Sequence, residues 1–354
     1  MTDPNSQPGT PDLLTLQTMY LCGVAYMADP ALMPGLIEKT QVPSSGGTWR
    51  CLWGPAQDSN ESNLAFVTGY FPDPNLAPQF ICITIRGTDV AVDDIWGILE
   101  QIWEDIDASD PQPMPWALDD PARVASGTLD GLAIIKGLTD PTTGQTLAQF
   151  LVTFFSQPAN ANVATVVTGH SLGGCLASIV AMWIRVLLLP NYQGTIQPIT
   201  FAAPTAGNSD FANYYDGLFP QARRFQNTLD VIPLAYYDLD AVSGIYASNM
   251  LETPDPVWLG LLGMEKILDI MGASYTQPAQ GAQILPGAFL PNDATDWYAQ
   301  ALHQHHLATY LALLTGTQVD TAALPQPSVA HAAKARLVKR IGSPNSALER
   351  LRDR

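Results

Sequence analysis

Positive charge is scarce in this chain. Its 354 residues contain 16 lysines and arginines against 33 aspartates and glutamates, a net charge of −17 at pH 7. Nucleic-acid phosphates would repel such a surface, so no nucleic acid is expected as a partner. Seven of the basic residues, and only two acids, lie from His331 onward. Residues 318–354 are therefore predicted to form a basic, helical C-terminal extension that either docks on the acidic body or touches a membrane or acidic partner.

Long apolar runs and clustered cysteines are also missing. No run of 18 or more uncharged apolar residues occurs, so no transmembrane segment is expected. The first basic residue is Lys39, and the apolar stretch Leu13–Ala28 thus lacks the basic region of a signal peptide. A cytoplasmic location, or export without a recognisable N-terminal signal peptide, is expected. The four cysteines show no metal-ligand spacing, which favours free thiols, with a Cys22–Cys51 bridge left open.

Apolar periodicity alternates along the chain between strand-like and helix-like segments. The predicted strands are Thr48–Trp53, Leu64–Tyr70, Phe80–Arg86, Val163–Thr168, Ile196–Phe201 and Arg223–Asn227. The predicted helices are Leu13–Ala28, Gly127–Leu138, Thr146–Ser156 and Leu172 to about Leu189. This alternation predicts an α/β fold with a mostly parallel central sheet flanked by helices. Residues 1–317 are predicted to form one domain, with a Pro- and Gly-rich insertion at about 238–296 that carries an apolar helix.

The segment VVTGHSLGG, residues 166–174, leads an apolar strand directly into a serine with glycines on either side. Gly169 and Gly173 allow the strand and the following helix to approach closely, because neither carries a side chain. Ser171 is then held on a sharp strand-to-helix turn, a geometry that suits a nucleophile.

A nucleophilic serine needs a base, and histidine is rare here. Of five histidines, His170 adjoins the serine and points elsewhere, and His331 lies in the basic tail. The remaining candidates, at the start of a final predicted helix, are His303, His305 and His306. These three could instead bind a metal ion, but no fixed set of acidic ligands accompanies them, so no metal is expected.

The acid that orients the base should lie between Ser171 and these histidines, just past a strand. Asp230 is the best placed, because it follows an apparent strand and precedes an apolar turn closed by Pro233. An oxyanion would also need donors. The backbone N–H of Leu172 is one, and Thr88, after the strand ending in ITIRGTD, is predicted to provide another.

Taken together, these motifs resemble the class 3, or fungal-type, lipases of the α/β-hydrolase fold. The matching segments, in the family's order, are IRGTD, GHSLGG, TFAAPTAGNSDFA, NTLDVIP and QHHLATYL. The resemblance implies a catalytic triad of Ser171, Asp230 and His305, with Thr88 and Leu172 as oxyanion donors and no cofactor. His305 is favoured over His306 because the surrounding residues bracket it as in the family. The insertion before His305 is longer than in compact fungal members.

The resulting expectation is a serine carboxylester hydrolase, a lipase that acts on acyl glycerides or related lipid esters, with a lipid–water interface as a candidate place of action. The alternatives are a short-chain esterase or phospholipase with the same machinery, or a catalytically silent lipid-binding module. Two segments are predicted to contact substrate. Met114 and Trp116 lie in a candidate lid at about 107–121, and Leu262 and Ile267 lie on the insertion helix, which is expected to line an acyl pocket.

Overall fold

The structure is a computed structural model that describes residues 12–39, 42, 46–87, 107–190, 192–291 and 296–316. Two sequence predictions lie outside the described residues, namely the oxyanion role of Thr88 and the basic extension at 318–354.

A seven-stranded sheet lies at the centre of the fold. Its strands are β1 (Thr48–Gln57), β2 (Leu64–Phe71), β3 (Phe80–Ile85), β6 (Ala164–His170), β7 (Ile196–Phe201), β8 (Arg223–Asn227) and β9 (Ala282–Leu285), in the spatial order β1-β2-β3-β6-β7-β8-β9. The first three strands pair antiparallel, and from β3 onward all neighbours are parallel. A separate two-stranded ribbon pairs β4 (Pro111–Pro113) with β5 (Arg123–Ala125). The sheet is thus mostly parallel, as predicted.

Helices connect and cover the strands. The α-helices of the described residues are α1 (Leu13–Val24), α2 (Met33–Glu38), α3 (Ser126–Gly137), α4 (Leu147–Ser156), α5 (Leu172–Trp183), α6 (Ser209–Leu218), α7 (Leu239–Gly244), α8 (Asp255–Met271), α9 (Trp297–His305) and α10 (Leu307–Thr315). Side-chain caps define several starts: Asp12 accepts the N–H of Thr15, and Thr146 forms a capping box with Gln149. The last turns of α5 widen into a π-helix, Ile184–Leu188, before Pro190. None of the described helices is both long and apolar enough to cross a bilayer.

Both faces of the sheet are buried, as a parallel sheet requires. Alternate residues of β3 enter different cores: Ile81 and Ile83 pack with helices α3 and α5, whereas Cys82 packs with α1 and α10. The first core also includes Trp297 of α9. Because α9 and α10 pack on opposite faces, the chain crosses the end of the sheet between them. All four cysteines are free thiols.

The segment at 238–296 differs from a simple helical insertion. It carries the predicted apolar helix as α8, but it also contains β9, which pairs in parallel with β8 and forms one edge of the sheet. No apolar pattern predicts this strand, because three of its four residues are exposed and only Leu285 is buried. The segment therefore completes the sheet as well as adding a helix to it.

Candidate active site

Ser171 stands on the turn between β6 and α5 with an unusual backbone conformation. Its φ of 60° and ψ of −133° lie in a region that residues with a side chain rarely adopt. The Ser171 N–H donates to the Phe201 carbonyl at 3.0 Å, which ties the turn to β7. The residue is 3% exposed. The turn therefore projects the hydroxyl at the carboxyl end of the sheet, at the cost of local strain.

Glycines make this turn sterically possible. A Cβ on Gly169 would overlap the Gly173 carbonyl group, and a Cβ on Gly173 would overlap the carbonyl oxygen of Ile85. The close approach of β6, α5 and the end of β3 thus excludes any side chain at these two positions, as the sequence predicts.

Three predicted side chains meet in one hydrogen-bonded chain. The Ser171 hydroxyl lies 3.0 Å from Nε2 of His305. On the other side of the ring, Nδ1 of His305 lies 2.9 Å from Oδ2 and 3.1 Å from Oδ1 of Asp230. All three residues are buried, none more than 4% exposed. This arrangement allows the imidazole to accept the serine proton while its other nitrogen donates to the carboxylate.

Asp230 is held by donors other than His305. It follows β8, and the N–H of Ile232 donates to its Oδ1 at 3.0 Å. The Tyr310 hydroxyl, on α10, donates to Oδ2 at 2.7 Å. Burial and the nearby carboxylate raise the pKa of Tyr310 well above its usual value, so the hydroxyl keeps its proton. These bonds hold the carboxylate in place against His305.

The three clustered histidines have separate partners. His305 ends α9 and faces Ser171, whereas His306 is extended and its Nδ1 accepts the N–H of Ala308 at the start of α10. Burial, followed by the neighbouring His305, lowers the pKa of His306. His303 contacts the hydroxyl of Thr309. Within the described residues no group of three metal-ligating side chains converges.

The oxyanion side of the site is only partly described. Leu172 opens α5, and the N–H groups in a first helical turn have no partner within the helix. Thr88 lies outside the described residues, but the preceding Gly87 does not. A Cβ on Gly87 would overlap the His170 carbonyl and lie 3.2 Å from Cβ of Ser171. The chain that leads to Thr88 thus passes directly beside the serine.

The four predicted substrate contacts fall into two environments. Met114 is completely buried in the apolar core that also contains Leu172, and Trp116 packs partly buried against that core. On α8, Leu262 is 37% exposed and Ile267 is half-buried. Substrate contact by these four residues stays a prediction.

The segment predicted as a lid, 107–121, is tied to its surroundings. Pro111–Pro113 pair with β5 as strand β4, and the hydroxyl of Tyr275 donates to the Ala108 carbonyl at 2.7 Å. In the connection between β4 and β5, Leu118 is 66% exposed. Its use as a lid stays a prediction.

Sequence reasoning missed the polar side chains that connect acid and base. The Asn227 amide donates to the backbone carbonyl and to Oε1 of Gln304, at 2.9 and 2.8 Å, which joins β8 to α9. The Asn227 N–H donates to the Tyr310 hydroxyl at 3.0 Å. Asn227 lies inside the motif NTLDVIP and Tyr310 inside QHHLATYL. The motifs therefore contained both residues, but they did not indicate that the two are hydrogen-bonded. Burial raises the pKa of the Cys175 thiol to about 12, so this thiol stays protonated.

Comparison with known proteins finds one matching family over part of the chain. Residues 82–239 match the family described as Lipase (class 3). Over this stretch, the chain is similar to the class 3 lipases. The matched residues include Ser171 and Asp230, and His305 follows them in the chain. The predicted resemblance is confirmed, and the match supports the predicted class of carboxylic ester hydrolase.

Two lipases illustrate how far the similarity extends. Lipase ZK262.3 of Caenorhabditis elegans is 42% identical over 72 residues, which is 20% of this chain and 20% of the worm protein. The match thus spans about a fifth of that curated relative. The crystal structure of M37 lipase is 23% identical, with a TM-score of 0.74 over 92% of this chain and 99% of that one. This likeness confirms the α/β-hydrolase fold.

Proposed function

We propose that this protein hydrolyses carboxylic esters of lipids through an acyl-enzyme formed on Ser171. The observation that carries the proposal is the contact of His305 with both partners, 3.0 Å to the Ser171 hydroxyl and 2.9 Å to Asp230. A buried Ser-His-Asp chain on a glycine-lined turn supports acyl transfer, and the lipase family supports an ester as substrate.

The reaction would proceed in two halves. Oγ of Ser171 bonds to the ester carbonyl carbon while its proton passes to Nε2 of His305. The carbonyl oxygen becomes an oxyanion, which accepts hydrogen bonds from the N–H groups of Leu172 and Thr88. When the C–O bond to the alcohol breaks, the leaving oxygen takes the proton from His305. Water then gives a proton to His305 while its oxygen bonds to the acyl carbon. The bond between that carbon and Oγ of Ser171 breaks, Oγ takes the proton back from His305, and the carboxylic acid is released.

Asp230 would stabilise the imidazolium that forms on His305 in each half. Its carboxylate needs no further movement during the reaction, because Tyr310 and the N–H of Ile232 already donate to it. Such preorganised charge contributes most where water is excluded, and the burial of all three side chains supports that condition.

A lipid surface is the proposed place of action. Around α8 large apolar side chains face solvent: Trp258 is 49%, Leu259 59% and Ile270 72% exposed, and the nearby Met250 is 94% exposed. Apolar side chains grouped on a surface often mark a site of interaction with a membrane or partner. The net charge of −17 favours a neutral or zwitterionic lipid surface over an anionic one. Acyl glycerides or related lipid esters are the proposed substrates.

A fluorophosphonate labelling experiment tests the proposal. The wild-type protein should be labelled at one serine, whereas Ser171→Ala should not be labelled and should lose about 10⁴-fold or more in ester turnover. Initial rates on p-nitrophenyl esters from acetate to palmitate, with and without a dispersed lipid phase, separate a lipase from a short-chain esterase. Labelling at another residue, or a tenth of wild-type activity left in Ser171→Ala, would overturn the assignment.

A further inference from the structure

His170, the residue before the nucleophile, is a buried titratable side chain that takes no part in the proposed proton transfers. It is 5% exposed and ends strand β6. Its ring is directed toward the face of the sheet that α1 and α10 cover. There it contacts the rings of Tyr26 and Tyr310, with centroids 6.0 and 5.9 Å away, and that of His305 at 4.7 Å.

Its two ring nitrogens have different partners, and these determine the tautomer. Nε2 lies 2.9 Å from the backbone carbonyl oxygen of His305. A carbonyl only accepts, so Nε2 carries the proton and donates. Nδ1 lies 3.3 Å from the Tyr26 hydroxyl, which can donate to it. A neutral ring protonated at Nε2 therefore satisfies both contacts.

The carbonyl of His305 occupies a position where a partner is needed. His305 is the last residue of α9, and the final carbonyls of a helix have no N–H partner within it. The chain turns extended at His306, so α10 cannot continue the ladder. The donor from His170 satisfies this carbonyl and fixes the backbone from which the His305 ring projects toward Ser171.

The environment of His170 keeps the ring neutral. The titratable groups that face it are Tyr26 after α1, His305 and His306 at the end of α9, and Tyr310 on α10. Burial, followed by the proximity of His305, lowers the pKa of His170 well below its usual value. A neutral ring brings no positive charge beside the imidazolium that would form on His305.

We infer that His170 is a positioning residue, which by donating to the His305 carbonyl holds the base in register with the nucleophile on the neighbouring residue. The inference rests on the proposed function, because positioning of the base matters only if His305 acts on Ser171. His170, on the serine turn, would thus hold in place the segment that carries His305, the base for the neighbouring Ser171. Supporting residues of this kind typically affect turnover by about 10- to 100-fold where they have been removed from metal sites.

Matched variants of the full chain test this role. His170→Phe keeps the ring and removes the donor, whereas His170→Gln retains an N–H donor. Sites are counted with a fluorophosphonate, so that kcat refers to active enzyme, and the His305 Nδ1 proton is followed as a low-field NMR resonance. We expect His170→Phe to lower kcat about 10- to 100-fold with KM unchanged, and to broaden the resonance. His170→Gln should recover most of the kcat and most of the sharpness of the resonance. Tyr26→Phe should lower kcat less than His170→Phe does.

The outcomes separate this role from the proposed function. An active wild type with unchanged kcat and resonance in His170→Phe would overturn the positioning role alone, as would a His170→Gln variant as impaired as His170→Phe. If His170→Phe does not fold, His170→Asn replaces it, since its shorter side chain withdraws the donor. A wild type that neither hydrolyses esters nor reacts with the fluorophosphonate would overturn the proposed function, and this inference with it.

Discussion

Replacing Ser171 with glycine should give a more stable protein than replacing it with alanine, although neither variant has a nucleophile. Both changes remove the 3.0 Å contact with His305, so this loss cancels in the comparison. What differs is the backbone. With φ of 60° and ψ of −133°, the position strains any residue that carries a Cβ, and glycine adopts it freely.

The size of the difference follows from two opposing effects. A residue held in a sparsely populated backbone region costs on the order of 1–3 kcal/mol, which alanine retains and glycine avoids. Glycine loses about 0.5–1 kcal/mol more conformational entropy on folding than alanine. The glycine variant should therefore exceed the alanine variant by about 1 kcal/mol in the free energy of unfolding, which is roughly 1–2 °C in Tm for a chain of this length.

Urea unfolding followed by tryptophan fluorescence measures this difference. The same pair of substitutions at Ser178 provides the control, because Ser178 is a buried residue in the middle of α5. There glycine should be less stable than alanine by about 1 kcal/mol. An alanine variant at position 171 that equals or exceeds the glycine variant would refute the argument that the nucleophile turn is strained.

Three further predictions concern the other residues of the site. His305→Ala should lower ester turnover about as much as Ser171→Ala, roughly 10⁴-fold or more. His306→Ala should lower it much less. Steady-state rates showing the reverse order would contradict the assignment of the base. Asp230→Asn should leave the circular dichroism spectrum unchanged but lower kcat about 10⁴-fold, because an amide favours the wrong imidazole tautomer; a loss below tenfold would contradict this. Stability should also depend on pH. Burial lowers the pKa of both His170 and His306, so the unfolded chain binds more protons as the pH falls below about 6.5 and the free energy of unfolding decreases there. Each histidine contributes a slope of up to about 1.4 kcal/mol per pH unit, and His170→Gln should flatten the profile in urea titrations between pH 7 and 5; an unchanged slope would show that His170 is not held neutral.

The parts of the site that lie within one short segment could be predicted from the sequence. The glycines around Ser171 and the apolar strand before it are local requirements of a sharp turn, and they are visible in nine consecutive letters. Asp230 could be placed by the strand before it and the proline after it. The choice of His305 followed from the scarcity of histidine and from the family resemblance.

Contacts between distant segments could not be predicted in the same way. Tyr310 donates to Asp230 across 80 positions, and His170 reaches the His305 carbonyl across 135, so no local pattern indicates either bond. Burial is a similar case. Met114 reads as an apolar residue available for substrate, yet tertiary packing leaves it with no exposed surface. Strand β9 could not be predicted, because an edge strand with exposed side chains shows no alternation of apolar and polar residues.

The hydrogen bonds between Asn227 and Gln304 hold the segments of the candidate acid and base together without help from the residues between them. The chain travels 75 positions from Asp230 to His305, through α7, α8 and β9, and yet the two ends of this excursion are joined directly by the Asn227 amide. The distance between Asp230 and His305 consequently depends on these hydrogen bonds and on the end of the sheet. It does not depend on the length of the chain between the two residues. Substitutions at exposed positions of α8, such as Leu259 and Ile270, are then expected to alter what the protein touches without moving the candidate acid and base.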